Sequence, residues 1–176
     1  MIFIPSELDG IWVIDPERRA DARGFFARTF CSAEFEAHGL PGVFPQCNLS
    51  QSERRGTLRG MHWQAEPHPE GKLVRCARGA VYDVVADLRP GSATRYRWQG
   101  YELSAANGRS LYVPPGFAHG FQTLTDDAEM VYQMTEPFRS GLAQGARWDD
   151  PALAIAWPLL NPILSERDRL HPGLPE

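Results

Sequence analysis

From Gln46 onward the chain alternates apolar and polar positions at period two, broken every eight to twelve residues by glycine-containing turns. That rhythm predicts strands at 46–50, 57–64, 72–77, 80–88, 97–103, 109–113, 118–124 and 128–135, the pattern of an all-β sandwich or barrel. Ahead of it, shorter strands are predicted at Ile2 to Pro5, Ile11 to Ile14 and Phe25 to Phe30, the last following a turn at Asp21–Gly24. A short helix is expected with Ser32 as its N-cap, ending near His38 before Gly39 and Pro41. The final forty residues carry PALAIAWPLL, read as irregular apolar cover, and SERDRL, read as a closing helix. The domain reading is a single unit over 1–176, with peripheral strands over about 1–45, a barrel core over about 46–136 and a C-terminal cover over 137–176.

Period two decides which side chains share a face. Lys72, Val74 and Cys76 fall together, as do Met130, Tyr132 and Met134, which are expected inside the barrel. Val81, Asp83, Val85 and Asp87 take one face of their strand and Tyr82, Val84, Ala86 and Leu88 the other. His62 groups with Leu58, Gly60 and Gln64, whereas Arg59 has the opposite parity. If Arg59 and His62 serve one pocket, the strand must bulge or kink at Gly60.

Composition narrows the function classes. The chain has 176 residues, 43% hydrophobic and 23% charged, with a net charge of −4, which fits one globular domain and argues against a general nucleic-acid or acidic-membrane binder. An anionic ligand must therefore be met by a few focused Arg and Lys side chains. Cys31, Cys47 and Cys76 are an odd number without metal-ligand spacing, read as reduced thiols of a cytoplasmic protein. The N-terminus reads as no signal peptide, and no stretch has the length of a membrane span.

The stretch Gln46–Arg89 concentrates the candidate chemistry. His62 suits a base for a proton acidified by a carbonyl; the plainer alternative, a satisfied core histidine, is disfavoured by its polar company. Lys72 is either a solvated strand end or a fixed charge beside a developing enolate oxygen. Tyr132 is, by itself, more often a barrel-filling aromatic than a general acid. Asp168 fits a capping box with Ser165, and from the residues alone that use outranks a hydrogen bond to His62. Arg23, Arg59 and His119 with Gln46 and Asn48 form a possible anion and nucleotide cradle, against which each Arg could be a surface ion pair. Asp83 could position a catalytic group, and Asp87 with Arg89 reads as a structural pair.

PPGFAHGF at 114–121 has the Pro-x-Gly-x-x-His of a metal cupin, whose first half needs a His-x-His pair and a Glu. Here that place reads His62-Trp63-Gln64, so a metal site is disfavoured.

The blocks DARGFF, QCNLSQSERRGTLRGMHWQ, KLVRCARGAVYDVVADLRPGSAT, VPPGFAHGF, the Tyr of AEMVYQ, WDDPALAIAWP and LSERD together resemble the dTDP-4-dehydrorhamnose 3,5-epimerases, metal-free cupins acting on nucleotide-linked 4-keto sugars. The resemblance implies a cupin-type double-stranded β-helix, or jelly roll, with short peripheral helices. It also implies a homodimer whose N-terminal strands cross to the partner, no cofactor and no metal. It implies His62 as proton acceptor held by Asp168, Tyr132 as donor on the opposite face and Lys72 beside the 4-keto oxygen, with Asp83 in the catalytic set. Arg23, Phe26, Gln46, Asn48, Arg59 and His119 would hold the nucleotide diphosphate and sugar. This reverses the capping preference for Asp168. Where the family pattern has Glu, an acidic residue, Lys and Tyr, this chain has Arg28, Ala143, Arg167 and Trp63. The substrate-holding set, with Arg28 and Arg167 in it, is thus altered around an intact catalytic set. Three alternatives remain: an epimerase inverting C3 or C5 alone on another nucleotide sugar, a metal-dependent cupin oxygenase or isomerase, and a non-catalytic sugar-nucleotide binding module.

Overall fold

The computed structural model describes residues 1–175. Thirteen strands form two antiparallel sheets and a small hairpin. The six-stranded sheet runs β1 (Ile2–Pro5), β2 (Trp12–Asp15), β10 (Ser110–Val113), β7 (Lys72–Arg78), β12 (Ala128–Met134) and β5 (Gln46–Ser52). The five-stranded sheet runs β13 (Ala143–Gly145), β6 (Leu58–Gln64), β11 (Phe117–Thr123), β8 (Ala80–Asp87) and β9 (Trp98–Ser104). The expected cupin-like β fold is what is found, and each of the eight strands predicted from Gln46 onward lies within a residue or two of its expected bounds, while β13 was not expected.

The predicted parity also holds, because both faces of each sheet are buried against something. Between the sheets, Val74, Cys76 and Met130 from one side meet Val81, Val85 and Phe121 from the other. The outer face of the six-stranded sheet packs Ile14, Leu73 and Tyr112 against Phe35 of α1 (Ser32–Ala37). The outer face of the five-stranded sheet puts Met61, Val84 and Ala86 under Leu153, Ile155 and Trp157 of the C-terminal cover.

Two expectations at the N-terminal end are corrected. In place of a strand from Phe25 to Phe30 there is a hairpin, β3 (Arg19–Asp21) with β4 (Gly24–Phe26). The chain leaves the hairpin after Phe26 because Phe30 is drawn into an aromatic cluster with Phe35 and Phe44, at centroid distances of 4.9 and 5.3 Å. Helix α1 takes Cys31, not Ser32, as its N-cap: the Cys31 carbonyl accepts from the Phe35 amide at 3.0 Å, and no side chain caps the helix. Burial of Phe35, which is fully enclosed, sets that start.

The expected Asp87–Arg89 pair is present and explains a tight turn after β8. The fully buried Asp87 carboxylate accepts from Arg89 Nε and Nη2 at 3.0 and 2.8 Å, from Ser92 Oγ at 2.6 Å and from Thr94 Oγ1 at 2.7 Å. Burial pushes this carboxyl upward, but the donors together outweigh it and hold it well below the usual carboxylate range. A group whose pKa is lower folded than unfolded stabilises above its unfolded value, about 3.9, and loses that contribution as pH falls toward its folded value. Accordingly, Asp87→Asn is expected to cost about 2 kcal/mol at pH 7, with the gap to wild type narrowing in denaturant melts at pH 3. A gap that stays constant between the two pH values contradicts this account.

Candidate active site

The barrel opens into a cavity of about 510 Å³ lined from both sheets and from the C-terminal segment. Gln46, Asn48 and Ser50 come from alternate positions of edge strand β5, Tyr132 and Met134 from β12, and Lys72 from β7. On the facing sheet, Arg59 and His62 come from β6 and His119 from β11. Arg167 and Asp168 close the rim from α2 (Glu166–Arg169).

The parity conflict between Arg59 and His62 is resolved at Gly60. In the β6–β11 ladder His62 faces His119 but Arg59 faces Phe121, so three steps on β6 match two on β11. The extra residue is a bulge. Gly60 has φ +145°, and a Cβ there would lie 2.6 Å from Gly120 Cα. Only two glycines in contact let the strands approach this closely, and Met61 is thereby turned into the outer layer while Arg59 and His62 both face the cavity.

His62 and Asp168 form the tightest polar contact of the site: Nε2 donates to Asp168 Oδ1 at 2.6 Å. A carboxylate can only accept, so in the neutral ring the lone pair lies on Nδ1. The Ser165 hydroxyl caps the Asp168 amide at 3.0 Å, but the Asp168 carboxylate does not complete the capping box, since it is taken by His62. Burial pushes the Asp168 carboxyl upward, yet the His62 hydrogen bond and charge prevail and hold it below its ordinary value. His171 stands behind this pair, its Nε2 3.6 Å from the same Oδ1 and its ring edge-on to His62 at 5.5 Å. Its pKa is lowered by burial and by His62. Room for the ring comes from Gly145, where a Cβ would sit 2.4 Å from it.

Lys72 is not a solvated strand end. Its side chain is 92% buried, and its ammonium pairs with Glu70 Oε1 at 2.9 Å and lies 3.4 Å from the His62 carbonyl oxygen. Tyr132 is partly buried against the core, edge-on to His119 at 6.2 Å. Burial of its hydroxyl, with Asp83 adding charge, pushes the phenol far above 10, so it keeps its proton at any ordinary pH. Asp83 is fully buried and accepts from His119 Nε2 at 3.0 and 2.9 Å; it holds His119, not His62. Burial raises the Asp83 carboxyl against the pull of His119 and Lys72.

The remaining predicted residues divide. Gln46, whose Oε1 accepts from the Phe138 amide at 2.9 Å, joins the cavity with Asn48, Arg59, His119 and Arg167. Arg23, Phe26 and Arg28 do not. Arg23 is 90% exposed and paired with Asp21, Phe26 is 73% exposed, and Arg28 is tied to Glu34 of α1. The hairpin that carries the first two projects from the barrel, so within one chain they stay outside the site. Ala143 begins β13, and Trp63 packs into the outer layer. Glu70, Phe138 and His171 were missed; Glu70 alone had a signal, standing two residues before Lys72 and hence on its side of an extended chain.

His62, Asp168 and His171 have potential ligand atoms within 4.8 Å of one another. The 2.6 Å His62–Asp168 contact is a direct hydrogen bond, however, with no space for an ion between its two atoms. His119, the histidine of the cupin-like metal pattern, is committed to Asp83.

Residues 5–176 match the family model described as dTDP-4-dehydrorhamnose 3,5-epimerase. A protein of that name from Sinorhizobium fredii is 42% identical over 177 residues, covering 100% of this chain and 91% of that protein. A dTDP-4-dehydrorhamnose 3-epimerase from Streptomyces niveus is 42% identical over 166 residues, covering 94% and 80%. The crystal structure of the Bacillus anthracis dTDP-4-dehydrorhamnose 3,5-epimerase, with TDP and pyrophosphate bound, superposes with a TM-score of 0.96 at 40% identity, covering 98% of this chain and 99% of that one.

Proposed function

The chain belongs to the dTDP-4-dehydrorhamnose 3,5-epimerase family, and we propose that it epimerises a nucleotide-linked 4-keto-6-deoxy sugar through His62, Tyr132, Lys72 and Asp168. The observation that carries this reading is that His62 and Tyr132 stand on facing sheets of one cavity, with Lys72 on the strand beside that of Tyr132 and its ammonium 3.4 Å from the His62 carbonyl oxygen.

A C4 ketone acidifies the hydrogens on C3 and C5. With Nε2 held by Asp168, Nδ1 of His62 accepts one of them, and Asp168 stabilises the imidazolium that results. The electron pair moves onto the ketone oxygen, where Lys72 stabilises the enolate more than the ketone; such a group is worth roughly 10²–10³ in rate. Tyr132, kept protonated by its surroundings, returns a proton to the opposite face and so inverts the carbon. Arg59, His119 and Arg167, with Gln46 and Asn48, bind the diphosphate and its nucleotide. All steps are proton transfers, which these side chains can perform without a cofactor.

Arg23 and Phe26 serve, in this reading, the cavity of a second copy. Their exposure on a projecting hairpin supports a homodimer with exchange of N-terminal segments. The three free thiols support a cytoplasmic location; no helix among the described residues is long and apolar enough to cross a membrane.

The test is incubation with dTDP-4-keto-6-deoxyglucose in heavy water, followed by NMR. Deuterium at both C3 and C5 is the expected result; deuterium at one carbon identifies a mono-epimerase, as the name of the Streptomyces niveus relative allows. No exchange with any nucleotide-linked 4-keto sugar overturns the reading. Tyr132→Phe is expected to retain exchange, because His62 can return solvent deuterium to its own face, while inversion falls about 10²-fold or more. Equal losses of exchange and inversion would deny Tyr132 the donor role.

A further inference from the structure

We propose that Glu70 binds substrate directly: its free carboxylate oxygen accepts a hydrogen bond from the hydroxyl on the sugar carbon beside the ketone, C3. The assignment rests on the epimerase reading above. Glu70 is 92% buried and lines the same cavity as His62 and Tyr132. Its Oε1 pairs with Lys72 at 2.9 Å, but its Oε2 is buried with no hydrogen-bond partner among the described residues. The other buried carboxylates among the described residues are engaged: Asp83 with His119, Asp87 with Arg89 and its neighbours, Asp150 with the amides of Ala152 and Leu174, and Asp168 with His62. A buried acceptor without a donor is costly in the empty protein, and a cavity wall is where a ligand can supply the donor.

Chemistry narrows what that donor is. A carboxylate repels a diphosphate, so Glu70 marks the sugar end of the cavity. Lys72, ion-paired to one oxygen of Glu70, holds the keto oxygen; the other oxygen then falls beside a substituent on a carbon next to the ketone. On a 6-deoxy sugar C5 carries a methyl group, which donates nothing, and C3 carries a hydroxyl. Glu70 therefore makes the site select for a free hydroxyl at C3.

The experiment compares wild type with Glu70→Gln on dTDP-4-keto-6-deoxyglucose and on its 3-deoxy analogue, reading kcat and KM by deuterium exchange at C5. Glutamine keeps the shape, but with its oxygen on Lys72 it offers the cavity a donor instead of an acceptor. On the hydroxyl-bearing sugar kcat/KM is expected to fall about 10- to 100-fold, mainly through KM. On the 3-deoxy analogue, where only the altered partner of Lys72 is felt, the loss should be at least about tenfold smaller than on the hydroxyl-bearing sugar. The same loss on both sugars, or no loss on either, overturns the proposal, the former because Glu70 would then act only by holding Lys72. Binding of dTDP alone, read by calorimetry, should be unchanged. Should Glu70→Gln lose it, Glu70→Asp, which keeps the charge but withdraws both oxygens, makes the same comparison. If the wild type exchanges deuterium on neither sugar, the epimerase reading has failed before any variant is made, and this assignment falls with it.

Discussion

Substituting His62 by alanine is expected to cut deuterium incorporation at the carbons beside the ketone by roughly 10²–10⁴-fold, the usual worth of a positioned general base. The size of the loss follows from the absence of a substitute among the groups described around the cavity. His119 has Nε2 locked on the buried Asp83, and Lys72 is committed to Glu70. Asp168 is held below its ordinary pKa and lies behind the ring. Folding should suffer less than chemistry, because the His62 side chain is 37% exposed. Loss of its partner does leave Asp168 buried and short of a donor, at a cost of about 1–3 kcal/mol, so melts must accompany the kinetics. Binding of dTDP should survive, since the proposed diphosphate contacts lie on Arg59, His119 and Arg167. Exchange at the wild-type rate in His62→Ala would remove the base from the mechanism.

Gly60→Ala is expected to be the most damaging single methyl group that can be added near the site. At φ +145° an alanine is strained by about 1–3 kcal/mol, and its Cβ would meet the Gly120 backbone at 2.6 Å, an overlap worth a further 1–3 kcal/mol or so. Backbone cannot swing aside as a side chain can. A total of about 3 kcal/mol or more corresponds to a melting point lower by roughly 6–12 °C for a chain of this size. Relief by straightening β6 would carry Arg59 out of the cavity, so dTDP affinity should fall together with stability. A variant that melts and binds like wild type would show that the bulge does not depend on a bare Cα.

Much of this arrangement is written in local patterns. Alternation located the eight strands between Gln46 and Met134 because burial on both faces of each sheet punishes a one-residue slip. The same alternation flagged Gly60: two polar side chains of opposite parity demanded an irregularity, and a glycine stood between them. Strand β13 was invisible, since Ala-Gln-Gly has no apolar rhythm and pairs only because β6 offers an edge. Phe25–Phe30 misled for the reverse reason: its aromatics are apolar, but Phe30 is claimed by α1 and Phe44, at no periodic spacing. At the site, residue type alone left Lys72 and Asp168 open, because burial and partner decide between a charge in water and a charge held for chemistry. Family resemblance pointed Asp168 at His62, and the carboxylate makes that hydrogen bond while Ser165 still caps the Asp168 amide. The resemblance's assignment of Arg23 and Phe26 to substrate binding came with an exchange of N-terminal strands, and within one chain both side chains are exposed outside the cavity.

The Gly60–Gly120 crossing has an implication for anyone wishing to transplant this chemistry. Copying His62, Arg59 and Lys72 onto the matching positions of a regular jelly roll would aim Arg59 at the opposite layer, because an unbulged strand counts one residue fewer. The portable unit is the pair of bare α-carbons together with the side chains they orient, and any trimming or lengthening inside β6 must proceed two residues at a time.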